Sequence, residues 1–223
     1  MFLLHRPSEA EIIQHLLAQQ DAPFSYLDVG ASNRELPAGF NVDHHRARLG
    51  VGESAFERAR IALTQWKMYP SPFVELYFSD RPMICGTIVA AMINVGPIWS
   101  LNPCRIIHTI DDEMPAGVRR FGFAVGTLTD HAECGEERFL VEWHRGDDSV
   151  WYDLLAFSRP RHLLARCIYP YVRWLQRRFR LLSGQSMQAA CADCGQANLT
   201  NRLATSATPT GPVAPSGDRP HHD

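Results

Sequence analysis

The sequence predicts an α+β fold in which a curved antiparallel sheet of about six strands wraps around a long C-terminal helix. Three observations predict it. The apolar period is helical near the N-terminus, falls to two between residues 73 and 157, and returns to helical from 158 to 182. The connections within the period-two region are too short for parallel crossovers, so successive strands should pair antiparallel. A sheet of this size also has an apolar face to cover, and the closing amphipathic segment is the natural cover.

The first helix is expected over residues 9–20. Ser8 and Glu11 form a capping box, each side chain satisfying the other residue's backbone N–H. A second box, Ser54 with Glu57, should open a helix in which Phe56, Ala59, Leu63 and Trp66 share one face and Pro70 ends the pattern. Between them, FNVDHHRARLG reads as a short strand bounded by Gly39 and Gly50.

Strands are expected at 73–78, 87–95, 104–111, 119–128, 138–145 and 150–157. SDRP, VGPIWSLNP, DDEMPAG and RGDDS supply the turns. The last helix should start at Ser158 and carry Leu164, Ile168, Val172, Leu175, Phe179 and Leu182 on one stripe, with a kink at Pro170. From residue 184 the chain turns rich in Ala, Ser, Thr, Gly and Pro without hydrophobic periodicity, so a disordered tail over 184–223 is expected. There is no internal repeat.

With 223 residues, 45% of them hydrophobic, the chain can bury one core, and a single domain over 1–183 is expected. A formal net charge of −2 gives no global attraction to nucleic acid, which is an unlikely partner on this count. The apolar start of MFLLHRPSEAE is too short for a secretory signal, and Ile84–Ile93 is too short to span a bilayer. A cytoplasmic location is expected. Six cysteines, at 85, 104, 134, 167, 191 and 194, are too sparse for a disulfide scaffold and are expected to be reduced.

His131-Ala-Glu133 with Cys191-Ala-Asp-Cys194 superficially repeats the H-x-E and C-x-x-C pattern of zinc nucleobase deaminases. The context differs, because His131 lies between strands and the cysteines lie in the expected tail. His131, Glu133 and Cys134 are read instead as a polar hairpin loop, and neither metal nor redox cofactor is expected. His44 and His45 are adjacent on a strand, point to opposite faces and do not chelate together. Asp111-Asp112 and Asp147-Asp148 are read as turn carboxylates that cap backbone groups. No Gly-rich phosphate loop, nucleophile elbow or H-E-x-x-H occurs.

The closing helix is strongly cationic, with Arg159, Arg161, Arg166, Arg173, Arg177, Arg178 and Arg180, and no Asp or Glu between Asp153 and Asp193. A solvated arginine face accounts for this pattern, and Arg166, Arg173, Arg177 and Arg178 are the candidates for contact with an anionic membrane surface. A curved sheet around a helix leaves space between them. Trp99, Arg105, His108, Trp143 and Tyr152 are the residues expected to line such a cavity.

The runs FLLHRPSEAE, RRFGFAVGTL, HAECGEERFLVEW and DDSVWYDLLAFSRPRHLLARCIYPYVRWLQRRF together resemble the uncharacterised protein family five-four-eight, a domain of unknown function in bacteria and plants. The resemblance spans residues 2–182. Thr129-Asp130, where the family pattern has Pro-Gly, and Cys134 depart from it. The resemblance implies the helix-grip architecture of START-like lipid- and ligand-binding domains. On that basis the leading expectation is a non-catalytic module binding a small hydrophobic or amphipathic molecule between sheet and helix. A peripheral membrane protein and an enzyme of the helix-grip superfamily are the alternatives.

Overall fold

A computed structural model describes residues 2–70, 74–78, 80–161, 167 and 169–205, with side chains in the last helix described as far as Ala192. The elements run β1 (Phe2–Leu3), α1 (Glu9–Ala18), a short 3-10 turn (Ala31–Asn33), β2 (Asn41–Val51), α2 (Gly52–Thr64), β3 (Glu75–Tyr77), β4 (Ile88–Val95), β5 (Ile98–Met114), β6 (Val118–Thr127), β7 (Glu133–His144), β8 (Ser149–Pro160) and α3 (Tyr169–Thr205). Eight strands form one sheet in the order β2-β8-β7-β6-β5-β4-β3, with β1 pairing on β5. All pairings are antiparallel. The long C-terminal helix lies on the concave side, the architecture the sequence predicted.

Three strands are longer than expected. The turn between β4 and β5 is confined to Gly96 and Pro97, so VGPIWSLNP contributes mostly strand, and β5 runs for 17 residues. β7 and β8 each run for 12 residues, and the segment FNVDHHRARLG, expected as a strand, supplies β2 (Asn41–Val51), paired with β8.

The sheet is covered on both faces. Residues of alternating parity face opposite sides. Phe139, Val141, Trp143, Val150, Tyr152 and Leu154 meet Phe56, Ala59 and Leu63 of α2 and Met187 and Cys191 of α3 on the inner side. On the outer side Ile12 and Leu16 of α1 pack on Ala90, Met92 and Leu101, while Tyr26 and Phe40 pack on Phe157.

The first capping box forms: the Ser8 hydroxyl accepts from the Glu11 N–H, and the Glu11 carboxylate accepts from the Ser8 N–H. The second does not. α2 begins two residues ahead of Ser54, at Gly52, whose N–H donates to the Asp148 carbonyl in the β7–β8 turn. Ser54 instead accepts from Arg58.

The C-terminus of α2 falls at Thr64, short of Pro70. Lys67 N–H donates to the Ala62 carbonyl and Trp66 N–H to the Leu63 carbonyl, a Schellman closure with Trp66 at φ 58° where glycine is usual. Trp66 is held in this left-handed conformation by burial edge-to-face against Phe123.

The final helix corrects two expectations. Ser158 is not its N-cap but part of β8, paired with Asn41. Pro170 lies beside residues outside those described, and so does the turn in which the kink at Pro170 is expected. The expected tail boundary at 183/184 falls inside the helix, which continues to Thr205. Met187 is 0% exposed and Cys191 2%, both in the core against α2. The 184–192 stretch lacks a wide stripe, but alanine-rich sequence propagates a helix well, and the i, i+4 pair Met187 and Cys191 supplies a narrow one. Gly184 permits the close approach to β2, since a Cβ there would lie 2.7 Å from His45 Nε2.

A Met187→Ala variant is therefore expected to lose about 2–5 kcal/mol of unfolding free energy in urea titration. A solvated tail would give no change.

Candidate functional site

Between α3 and the concave face lies a cavity of about 230 Å³. That is on the order of eight water volumes. Its apolar wall comes from Ile93, Ile98, Val125, Val172, Leu175 and Phe179, and Tyr69 and Cys104 line it as well. Its polar end is formed by Asp43, Glu133, Glu137, His131, Gln176 and Arg180.

The alternation of strand β7 places the acids. Trp143, Val141 and Phe139 face inward, so Glu137, Gly135 and Glu133 continue the same face toward the strand's start, and all three line the cavity. Gly135 has φ +147°, and a Cβ there would lie 1.9 Å from the Phe157 carbonyl oxygen, so β8 can approach only a glycine. The GTLTDHAECGEERFLVEW stretch is thus largely a wall of the cavity, where a polar hairpin loop was expected.

Even-numbered residues of β7 face outward. Glu136, 3% exposed, accepts from the Tyr26 hydroxyl, at 2.8 Å, and from the N–H groups of Gly30 and Ser32. It ties the segment preceding β2 to the sheet. Burial and this carboxylate push the Tyr26 hydroxyl well above its ordinary value.

At the polar end a chain of bonds links helix and sheet. Asp43 accepts from Arg173 Nη1 and Nη2 at 2.5 and 2.8 Å and lies 2.6 Å from Arg180 Nη1. Arg173 also donates to Gln176 Oε1, whose amide donates to both Glu133 oxygens at 2.7 Å. His131 Nδ1 accepts from the Glu133 N–H. Burial raises the Glu133 carboxyl, opposed by Gln176 and Arg173.

Glu137 differs from its neighbours. No hydrogen bond reaches its carboxyl among the described residues, and the half-buried side chain lines the cavity. Burial, with the nearby Glu133 charge, pushes it up to about 8, against the opposing pull of Arg180. Burial pulls His131 down to about 3. Both groups are therefore neutral near pH 7.

None of the five residues expected to line the cavity does so. On β5 the even positions Ile98, Ser100, Asn102 and Cys104 face inward. Trp99 and Arg105 have the other parity: Arg6 lies over the Trp99 ring, and Arg105 donates to the Gln19 and Gln20 carbonyls at the end of α1. A β-bulge between Ile106 and His108 shifts the parity and sends His108 toward Glu136 and Arg138 on the outer face. Trp143 and Tyr152 have the right face but lie further along the sheet. Trp143 packs on Phe56 and donates to Asp148, and the Tyr152 hydroxyl meets Ser183 at 2.7 Å.

Of the membrane-contact candidates, Arg173 is turned inward onto Asp43, whereas Arg177 and Arg178 are exposed, and Arg166 lies outside the described residues. Of the deaminase-like pattern, the Cys194 side chain lies outside the described region, and no group of three metal-ligating residues occurs among the described residues. His44 meets Asp153 on the outer face and His45 faces α3. Asp147 caps the Ser149 N–H as expected, but Asp111 and Asp112 sit in β5 and pair with Arg119 and Arg120 across the hairpin.

An antiparallel sheet closed on a C-terminal helix, with a cavity between them, defines a helix-grip protein. The chain belongs to the family described as Domain of unknown function (DUF1990), whose model matches residues 25–186. It is 32% identical over 206 residues to a UPF0548 protein of Dictyostelium discoideum, covering 85% of this chain and 95% of that one. To a UPF0548 protein of Deinococcus radiodurans it is 31% identical over 189 residues, covering 80% and 92%. Among solved structures it is similar to human STARD10, with a TM-score of 0.42 and 11% identity over 92% of this chain and 90% of that one.

The two buried groups give stability a defined pH profile. Glu137 stays protonated in the fold up to about 8 but ionises near 4.5 when unfolded, so its contribution is lost as pH rises through about 8. His131 is neutral in the fold above about 3 but protonates near 6.5 when unfolded, so its contribution is lost as pH falls below 6.5. Thermal scans should show Tm falling between pH 6.5 and 8, and Glu137→Gln should flatten that limb alone.

Proposed function

We propose that the protein is a non-catalytic binding module that holds a small amphipathic molecule in the cavity between the sheet and α3. The observation that carries this reading is the pairing of an apolar wall with polar groups that lack a hydrogen-bond partner among the described residues, the half-buried Glu137 carboxyl and the buried Arg180 Nη1. An unsatisfied buried polar group costs about 1–3 kcal/mol, and a ligand that satisfies it recovers that cost on binding. The cavity's polar groups also orient a ligand, with its apolar body toward Val172 and Phe179 and its polar end toward β7.

Catalysis finds less support. His108 lies on the outer face, and the Tyr152 hydroxyl is paired with Ser183, so neither brings a polar cluster to the cavity.

Native mass spectrometry of the freshly purified chain is expected to show a bound small molecule, released on denaturation. In Ala156→Leu, whose side chain enters the cavity beside its cross-strand partner Glu137, the extra mass should vanish while unfolding stays cooperative. Wild type with no added mass, and no small molecule in a solvent extract, would count against the reading.

A second reading is favoured by the outer face of α3. Tyr171 and Trp174 are exposed and stacked at 5.5 Å, Arg178 lies over the Trp174 ring, and Leu181 is exposed further along. Aromatic rings flanked by arginine suit the headgroup layer of a membrane. Co-sedimentation with anionic vesicles is expected at low salt, weakened several-fold by Trp174→Ala and by high salt. Absence of binding at low salt would end this reading.

A further inference from the structure

Resting on the binding reading above, we infer that the cavity's ligand carries an uncharged polar head that both donates and accepts hydrogen bonds, an alcohol, phenol or primary amide, seated between Arg180, Tyr69 and Glu137.

The three groups converge from different elements. Asp43, Ala156 and Glu137 stand in one row across β2, β8 and β7, so on the floor of the sheet only a methyl group separates the two carboxyls. Arg180 reaches that row from α3, with Nη1 2.6 Å from Asp43 Oδ1. The Tyr69 ring packs at 5.4 Å on Phe139, two residues beyond Glu137 on the same face, and at 5.5 Å on Phe179, the neighbour of Arg180. Tyr69, Ala156, Glu137 and Arg180 all line the cavity.

Their hydrogen bonding is incomplete in both senses. Arg180 Nη1 is buried and, although close in charge to Asp43, has no hydrogen-bond partner, which leaves a donor unused. No hydrogen bond reaches the Tyr69 hydroxyl among the described residues, and it is a second donor. The Glu137 carboxyl, likewise unpartnered, keeps an acceptor oxygen whether it is ionised or protonated. Neighbouring donors are committed: Arg173 to Asp43 and Gln176, the Gln176 amide to Glu133, and the Asn102 amide to the Ala91 and Ser100 carbonyls. A head that completes this spot therefore accepts on one side and donates on the other.

Ionic heads answer one sense only. An ammonium has donors and no acceptor, and a carboxylate has acceptors and no donor. Either one also brings a charge out of water into a space walled by Ile93, Val125, Leu175 and Phe179, where Asp43 already has Arg173 and Arg180 as counterions. A zwitterion supplies both senses but takes two charges out of water. A hydroxyl or a primary amide supplies both with none, and the apolar wall takes its alkyl or aryl body.

The test titrates the full chain at neutral pH with 1-hexanol, hexanamide, hexylamine, hexanoate, norleucine and 1-chlorohexane, followed by amide chemical shifts. Hexanol and hexanamide are expected to bind at least about tenfold tighter than the amine, the acid and the amino acid. Tyr69→Phe removes a donor and Glu137→Leu an acceptor at nearly constant volume. Each should weaken hexanol and hexanamide about five- to tenfold and leave 1-chlorohexane within about twofold. Glu137→Gln, which keeps both senses, should bind hexanol as the wild type does. Retained binding of 1-chlorohexane shows that the cavity is intact, and if one variant loses every probe the other carries the comparison.

Equal or tighter binding of hexylamine, hexanoate or norleucine by the wild type would overturn the uncharged head and leave the binding module standing. So would a hexanol affinity that neither Tyr69→Phe nor Glu137→Leu moves. Binding of no probe would overturn both.

Discussion

The position of α3 depends on Asp43. This carboxylate, on the strand at one edge of the sheet, takes both Arg173 and Arg180, which lie about two helical turns apart and so on one side of the rod. Two guanidinium groups on one nearly buried carboxylate fix both rotation and height of the helix. Breaking such a buried pair costs about 3–5 kcal/mol, because a charge is left without a counterion. Asp43 therefore does more than add stability: it sets the distance between helix and sheet, and the cavity is what that distance leaves.

The rest of the inner face divides between two helices. α2 closes the end where Trp143 and Val150 lie, with Phe56 and Leu63 filling the space, and the second half of α3 adds Met187 and Cys191 to the same core. Only the first half of α3 stands over a part of the sheet that α2 does not reach. There β7 presents Glu133 and Glu137 in place of the bulky apolar residues it presents further along. The cavity and its acids thus share a cause, the change from large apolar to acidic side chains on one face of one strand.

Much of this was legible in the sequence. The switch of period gave the sheet and both flanking helices, and the first capping box formed as expected. The final helix was placed too early and ended too soon. Ser158 resembles an N-cap locally but is claimed by pairing with β2, and the alanine-rich stretch after Gly184 is helical because α2 offers it a surface. Neither partner is visible from the local sequence. The cavity residues were missed for a related reason. Parity was not carried upstream from FLVEW through Glu137 to Glu133, which would have put two carboxyls on the core face. For His108 no parity rule suffices, because a bulge resets the count.

The pairing of β2 with β8 has a bearing on how the chain comes to fold. Asn41 finds Ser158, and the sheet has no partner for its first long strand until its last has been made. Contacts so distant along the chain are slow to close, and during synthesis β2 waits with its edge bare. The helix that roofs the cavity is made later still, so the hollow takes its shape only in the final act of assembly.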